Sequence, residues 1–286
     1  MNVRLLAFRA FTACAGRAPA IAYRLAPPVG WLACRLRTDM RRNVIRNQLV
    51  LCGGNRERAR RNAPAVFAAI VRYYVDIASF RYRDMSVLER DTIRFTNAER
   101  LGVLDGDRPI IALSAHMGSP ELGVQAFLGR GRKFVALVEP LQPDWFGAEL
   151  NRMRGAAGGR YLPADGRGMR ACLQELRAGG VVALLADRDI QGNGICTRLA
   201  GKTVRLPVGP FELARRTGAI IVPVLTTREP GNRLRLHVEE PFGVGADGEE
   251  VRAGVARWAS ILEPYLRRYP EQWTVAEDFW QVHRCG

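Results

Sequence analysis

The sequence predicts an α/β fold, a mostly parallel sheet covered by helices on both faces, with a helical N-terminal segment ahead of it. Two observations lead there. From residue 109 onward, short apolar runs rich in β-branched residues alternate with stretches of helical periodicity, the pattern of strands joined by helical crossovers. The runs are apolar almost throughout rather than at every second residue, as in strands buried on both faces. The chain has 286 residues, 48% of them hydrophobic, enough for a sizeable core. It shows no internal repeat, so one large domain with an N-terminal extension is the simplest organisation.

The elements follow in order. The first 36 residues are apolar but broken by Arg4, Arg9, Arg17, Arg24 and Arg35. A spanning helix needs about 20 mostly apolar residues without such breaks, and no signal-peptide core or cleavage site is present. Apolar stretches with spaced arginines suit helices lying in the plane of a membrane, guanidinium groups at phosphate level. Leu5, Leu6, Phe8, Ala13 and Cys14 do not form a clean stripe. Residues 63–82 repeat apolar residues at helical spacing. Strands are expected at 109–114, 134–138, 181–185, 219–225 and 234–238, and helices at 120–129, 145–157, 167–179 and 209–217. The expected division is 1–62 as a basic, amphipathic, membrane-associating segment and 63–286 as the α/β domain.

Charge supports that division. Net charge is +15, and residues 1–62 hold 13 arginines against Asp39 and Glu57. A basic segment calls for an anionic partner, either a phospholipid surface, nucleic acid or a phosphorylated substrate. Nucleic acid is the weaker choice, because no binding module and no basic stretch interleaved with exposed aromatics is recognisable. The six cysteines have no CxxC spacing and no Cys/His cluster of zinc type. They read as isolated, mostly buried, reduced thiols of a cytoplasmic compartment. With three scattered histidines, no metal site is expected.

Catalytic residues of such folds sit at the carboxyl ends of the strands. The first strand runs into Leu113-Ser114-Ala115-His116, followed by Ser119, Pro120 and Glu121. Ser119 suits a helix N-cap and Pro120 a first helical position. His116 thus falls at a strand end and Glu121 in the next helical turn, close enough for the carboxylate to meet the imidazole. An imidazole is the natural base for drawing a proton from a lipid hydroxyl at neutral pH. A carboxylate on its other nitrogen fixes the tautomer. A thioester is already activated, so no serine or cysteine nucleophile and no cofactor is required, and the chain has no G-x-S-x-G elbow. Arg154 could pair with a phosphate or stabilise an oxyanion. Asp187 and Asp189 follow another strand, in a Gly-containing loop on the same edge. His237, inside an expected strand, and His283, in the tail, lack such surroundings. Trp258, Trp273 and Trp280 are core or membrane-interface residues.

The segment around His116 resembles the H-x4-D/E motif of bacterial lysophospholipid and lipid A (late) acyltransferases, a family that includes phosphatidylinositol mannoside acyltransferases. The resemblance continues through VALVEPLQP, LNRMRGAAGGRYLP, DGRGMRACLQELRAGGVVALLADRDIQGNGI, GKTVRLPVGPFELARRTGAIIVPV and YPEQWTV. The N-terminal RTDMRRNVIRNQLV is also similar to a basic stretch of that family. The sequence departs from the pattern at Ser119-Pro120, where Asn-Trp is common, and at Leu199-Ala200-Gly201, where Phe-Gly is usual. Both departures bear on acceptor or chain identity.

The resemblance implies an αβα sandwich of glycerophosphate-acyltransferase type, held by N-terminal helices on the cytoplasmic face of the plasma membrane. It implies acyl transfer from acyl-CoA or acyl carrier protein to a hydroxyl of a membrane lipid or glycolipid. His116 would be the base and Glu121 its orienting acid. Glu139 and Asp189 would stand beside them, with Arg154, Asp187 and Arg188 binding substrate. The competing reading is a basic lipid- or nucleic-acid-binding protein without catalysis.

Overall fold

A computed structural model describes residues 3–128 and 131–285, the side chains at 85, 86, 88, 89 and 126 aside. Four helices open the chain: α1 (Val3–Arg17), α2 (Pro19–Leu36), α3 (Thr38–Leu51) and α4 (Arg56–Ser79). After α5 (Met85–Thr92) and β1 (Ile93–Thr96) comes the alternating part. Its elements are β2 (Ile110–Ser114), α6 (Pro120–Leu128), β3 (Phe134–Val138), α7 (Asp144–Gly155), β4 (Arg160–Pro163), α8 (Gly166–Arg177) and β5 (Val181–Leu185). A hairpin of β6 (Ile195–Leu199) and β7 (Lys202–Leu206) follows, then α9 (Gly209–Thr217), β8 (Ile220–Arg228), β9 (Leu234–Val238), α10 (Gly248–Arg268) and α11 (Phe279–Val282).

Seven strands form one sheet in the order β1-β9-β8-β2-β5-β3-β4. Every pairing is parallel except β8 with β9. The expected mostly parallel α/β architecture is therefore present. One face packs Ile110, Phe134, Val181 and Val222 against Ile77 of α4, Phe127 of α6 and Leu150 of α7. The other packs Ile111, Val135, Val182 and Ile221 against Cys172 of α8, Phe211 of α9 and Trp258 of α10. Burial on both faces explains why these strands read as unbroken apolar runs.

Several elements not foreseen are short or polar. β4 is a four-residue edge strand, and β6 and β7 alternate instead of being wholly apolar. The hairpin turns on Ala200 and Gly201, at φ 51° and 79°, the pair of positive φ values that a two-residue turn between twisted strands requires. Leu199-Ala200-Gly201 is thus a turn, away from the cavity described below. The helix expected at 120–129 is described as far as Leu128, and residue 129 lies outside the described residues.

The boundary expected at 62/63 falls inside α4. This helix is capped by Asn55, whose side chain accepts from the Arg58 amide. It binds the N-terminal helices to the sheet through Asp76, which is fully buried. The Tyr23 hydroxyl of α2 donates to Asp76 Oδ1 at 2.5 Å, and Arg228, the last residue of β8, pairs with Oδ2. α1 is also tied down: Phe8 packs edge-on against Trp145 and Phe146, and Arg9 pairs with Glu149 at 2.9 Å.

Four cysteines, Cys14, Cys34, Cys52 and Cys172, are free thiols as expected, but Cys196 and Cys285 form a disulfide. They lie 89 residues apart in sequence. The chain after α11 runs antiparallel beside β7, with the Arg205 amide donating to the His283 carbonyl at 2.7 Å. That brings the two Cα atoms to 6.1 Å, within bridging range. Spacing along the sequence could not reveal this pairing, and the compartment argument from six reduced thiols falls with it.

Candidate active site

β2 and β5 are register neighbours, Ser114 opposite Leu185. Two residues beyond each lie His116 and Asp187, so the strand register alone sets them face to face. His116 Nδ1 lies 2.8 Å from Asp187 Oδ1, and the His116 amide donates to Oδ2 at 3.1 Å. The Trp273 indole N–H donates to the same Oδ2 at 2.8 Å. Asp187 is fully buried. Burial works against its charge, but the His116 ring, its hydrogen bonds and the Trp273 donor outweigh that and hold the carboxyl below its usual range. Behind it, the Trp258 indole donates to the Ala186 carbonyl at 2.9 Å. Trp258 and Trp273 are thus core residues that fix the end of β5.

The loop after His116 is equally constrained. Its carbonyl accepts from the Thr274 amide at 2.8 Å and from Thr274 Oγ1 at 3.0 Å. Gly118 has φ +63°, and a Cβ there would stand 2.3 Å from the Thr226 carbonyl oxygen, so only glycine fits. Ser119 does not cap α6 as expected. Its Oγ makes no hydrogen bond, while its amide donates to Thr226 Oγ1 at 2.9 Å.

The expected pairing of His116 with Glu121 is not formed, because the carboxylate on the imidazole is Asp187. The first turn of α6 aims Glu121 at α4 and α7 instead. There its Oε1 accepts from the Tyr73 hydroxyl and from Arg154, at 3.1 Å from Nε and 2.9 Å from Nη2. Arg154 also reaches Tyr73 at 2.8 Å and Asn151 at 3.0 Å. Burial opposes its charge, but Tyr73 and Glu121 more than compensate and keep it protonated. Each of its three nitrogens already has a partner, and the Glu121 carboxylate balances its charge. Arg188 is committed too. It grips Glu277 bidentately at 2.7 and 2.8 Å and Glu139 at 2.9 Å. Glu277 also meets His283 Nε2 at 2.8 Å. Burial raises the Glu277 pKa, but His283 and Arg188 together bring it down to about 2. Asp189 closes the loop, accepting from the amides of Gly192 at 3.1 Å and Gly194 at 2.9 Å.

These groups surround one cavity of about 620 Å³, lined by His116, Glu121, Glu139, Arg154, Arg188 and Asp189 among mostly apolar neighbours. The His116 side chain is 29% exposed there. The structure brings six of the seven expected residues to the cavity, and the seventh, Asp187, is buried directly behind the imidazole. Sequence reading gave no site role to Trp273, Glu277 or Tyr73. Trp273 lies in the YPEQWTV stretch but read as a core or interface tryptophan, Glu277 just beyond it carried no signal, and Tyr73 sits in a helix whose apolar face hid it.

Residues 9–281 match the family model described as bacterial lipid A biosynthesis acyltransferase. A phosphatidylinositol mannoside acyltransferase of Mycolicibacterium smegmatis is 25% identical over 182 residues, covering 62% of this chain and 58% of that protein. One of Mycobacterium tuberculosis is 31% identical over 112 residues, covering 38% of this chain and 35% of that protein. The match to these relatives thus spans between a third and three fifths of their length. The family match, by contrast, runs from α1 to α11 and takes in every residue of the cavity, and on that ground the chain belongs to the bacterial lipid A biosynthesis acyltransferase family.

Proposed function

We propose that the protein is an O-acyltransferase. It moves a fatty acyl chain from acyl-CoA or acyl carrier protein to a hydroxyl of a membrane lipid or glycolipid, of lipid A or phosphatidylinositol mannoside type. The observation that carries this reading is the Asp187-backed imidazole of His116, open to a cavity with mostly apolar walls. Asp187 holds Nδ1 and leaves Nε2 to face the cavity as the base. Nε2 takes the acceptor hydroxyl's proton as the oxygen attacks the thioester carbonyl. The tetrahedral adduct then collapses, the C–S bond breaks, and the imidazolium returns the proton to the leaving thiolate. No covalent enzyme intermediate and no cofactor enters this scheme. Glu121 with Arg154, and Arg188 with Glu139, would hold the cavity's shape, and Asp189 the loop that carries Asp187.

Incubating the protein with an acyl thioester, with and without lipid acceptor, tests the reading. Thiol release should depend on the acceptor and match the amount of acylated lipid found by mass spectrometry. Release at the same rate without acceptor would make the protein a hydrolase and sink the transferase assignment.

The same reading places the protein on the cytoplasmic face of the plasma (inner) membrane. Ile21, Leu25, Val29, Leu32 and Leu36 are all exposed large apolar residues of α2. Their spacing puts them within one narrow arc of the helix. Arg24 and Arg35 lie along one edge of the arc, and Arg35 lies over the ring of half-exposed Trp31 at 4.5 Å. An apolar stripe edged by arginine and tryptophan suits an anionic lipid surface. α4, within Arg56–Tyr82, is long and apolar enough to span a bilayer, but 61% of its most apolar stretch is buried in the fold, which favours in-plane attachment through α2. Ile21→Asp with Leu25→Asp should weaken binding to anionic phospholipid vesicles by at least about tenfold. Undiminished vesicle binding would remove α2 from the membrane contact.

A further inference from the structure

On the face of the sheet beneath α6, the side chains form three rows across adjacent strands. The row nearest the catalytic edge pairs Ser114 with Leu185. The next pairs Ala112 with Ala183 and Ala183 with Ala136. The third pairs Ile110 with Val181 and Val181 with Phe134. Three alanines therefore stand side by side, with three large residues directly behind them. The alanine row is bounded by Val222 opposite Ala112 on β8 and by Tyr161 opposite Ala136 on β4.

The small side chains leave a trough. Ala112, Ala136 and Ala183 line the same cavity as His116, and Gly123, Val124 and Phe127 of α6 roof it. Ile110, Val181 and Phe134 are essentially fully buried and do not border the cavity, so they close its back. One row down a strand is about 7 Å, and three strands across are about 10 Å. The space therefore descends from the imidazole one row and then bends across the sheet, in a path suited to a long flexible apolar chain and unsuited to a rigid or short one.

Resting on the acyltransferase reading, we infer that the alanine row selects the length of the acyl chain: Ala112, Ala183 and Ala136 admit it, and the row Ile110–Val181–Phe134 with Tyr161 stops it. Alanine at the middle position is decisive, because any larger side chain there would block the trough midway. Chain length is then a property of this floor, while the chemistry stays with the dyad.

The test uses the full chain and a series of saturated acyl thioesters of increasing length, with the lipid acceptor. Ala183→Leu should lower kcat/KM for long chains relative to short ones, by about fourfold for each methylene kept out of the trough. Val181→Ala should shift the preference toward longer chains. Displacement of a fluorescent fatty acid by free fatty acids of the same lengths reads the trough without turnover, and its length preference should move in the same directions. Length profiles of Ala183→Leu and Val181→Ala that match wild type, in turnover and in displacement, would overturn the inference. If wild type transfers no acyl group to any acceptor, the enzymatic reading fails by itself, and the displacement profiles still decide whether this floor measures chains.

Discussion

Asp187→Asn is expected to lower kcat by about 10²–10⁴-fold, close to the loss in His116→Ala, with little change in folding. The amide keeps the shape of the side chain, but it cannot hold the ring in the tautomer that leaves Nε2 ready to accept a proton. It also removes the counter-charge that the imidazolium needs during attack. Glu121→Gln serves as the comparison. Glu121 contacts Tyr73 and Arg154, not His116, so its loss strips a buried guanidinium of its counter-charge and should lower the melting temperature while keeping kcat within about tenfold of wild type. Should Glu121→Gln lose as much kcat as His116→Ala while Asp187→Asn keeps it, the dyad would have to be reassigned to the first turn of α6.

The largest expected loss of stability is at Asp76. Its carboxylate is fully buried, with Arg228 only 9% exposed against it, and Arg72 lies close enough for Arg228 to lower its pKa, after the larger effect of burial. Asp76→Ala leaves two part-buried cations facing each other with no anion between them. Breaking a buried pair from one side costs about 3–5 kcal/mol, and in a protein of this size that is a fall in Tm of about 10 °C. Asp76→Ala combined with Arg228→Met should recover most of the loss, since the stranded charge then disappears as well. A Tm within about 2 °C of wild type in the single variant would show the pair to be dispensable.

Five of the seven strands of the main sheet were legible because burial writes itself as apolar runs, whereas the short edge strands β1 and β4 carry no such run. The hairpin of β6 and β7 was not legible either, because its exposed residues dilute that signal. His116 and the cavity residues could be named from strand ends and motif order. The partner of His116 could not: Glu121 is five residues away in sequence and Asp187 is 71, and proximity in sequence favours the wrong one. What decides is that β2 and β5 are neighbours in register, and strand order is a tertiary fact that no local pattern carries. The acidic residues thus hold the neighbourhood the sequence suggested, with the partnerships exchanged. Within the first 36 residues the sequence did not say which helix carries an outward apolar face: Phe8 of α1 turns inward onto α7, and the clean exposed stripe belongs to α2.

Residues 273–283 supply Trp273 to Asp187, Thr274 to the His116 carbonyl, and Glu277 with His283 to the arginine next to Asp187. During synthesis, a ribosome delivers His116 and Asp187 well before it delivers any of these supports. Until that stretch has docked, Asp187 alone holds the ring, without the indole and threonine donors that fix the ends of β5 and β2. The dyad thus reaches its final geometry only late in folding, through contacts up to 158 residues apart along the chain.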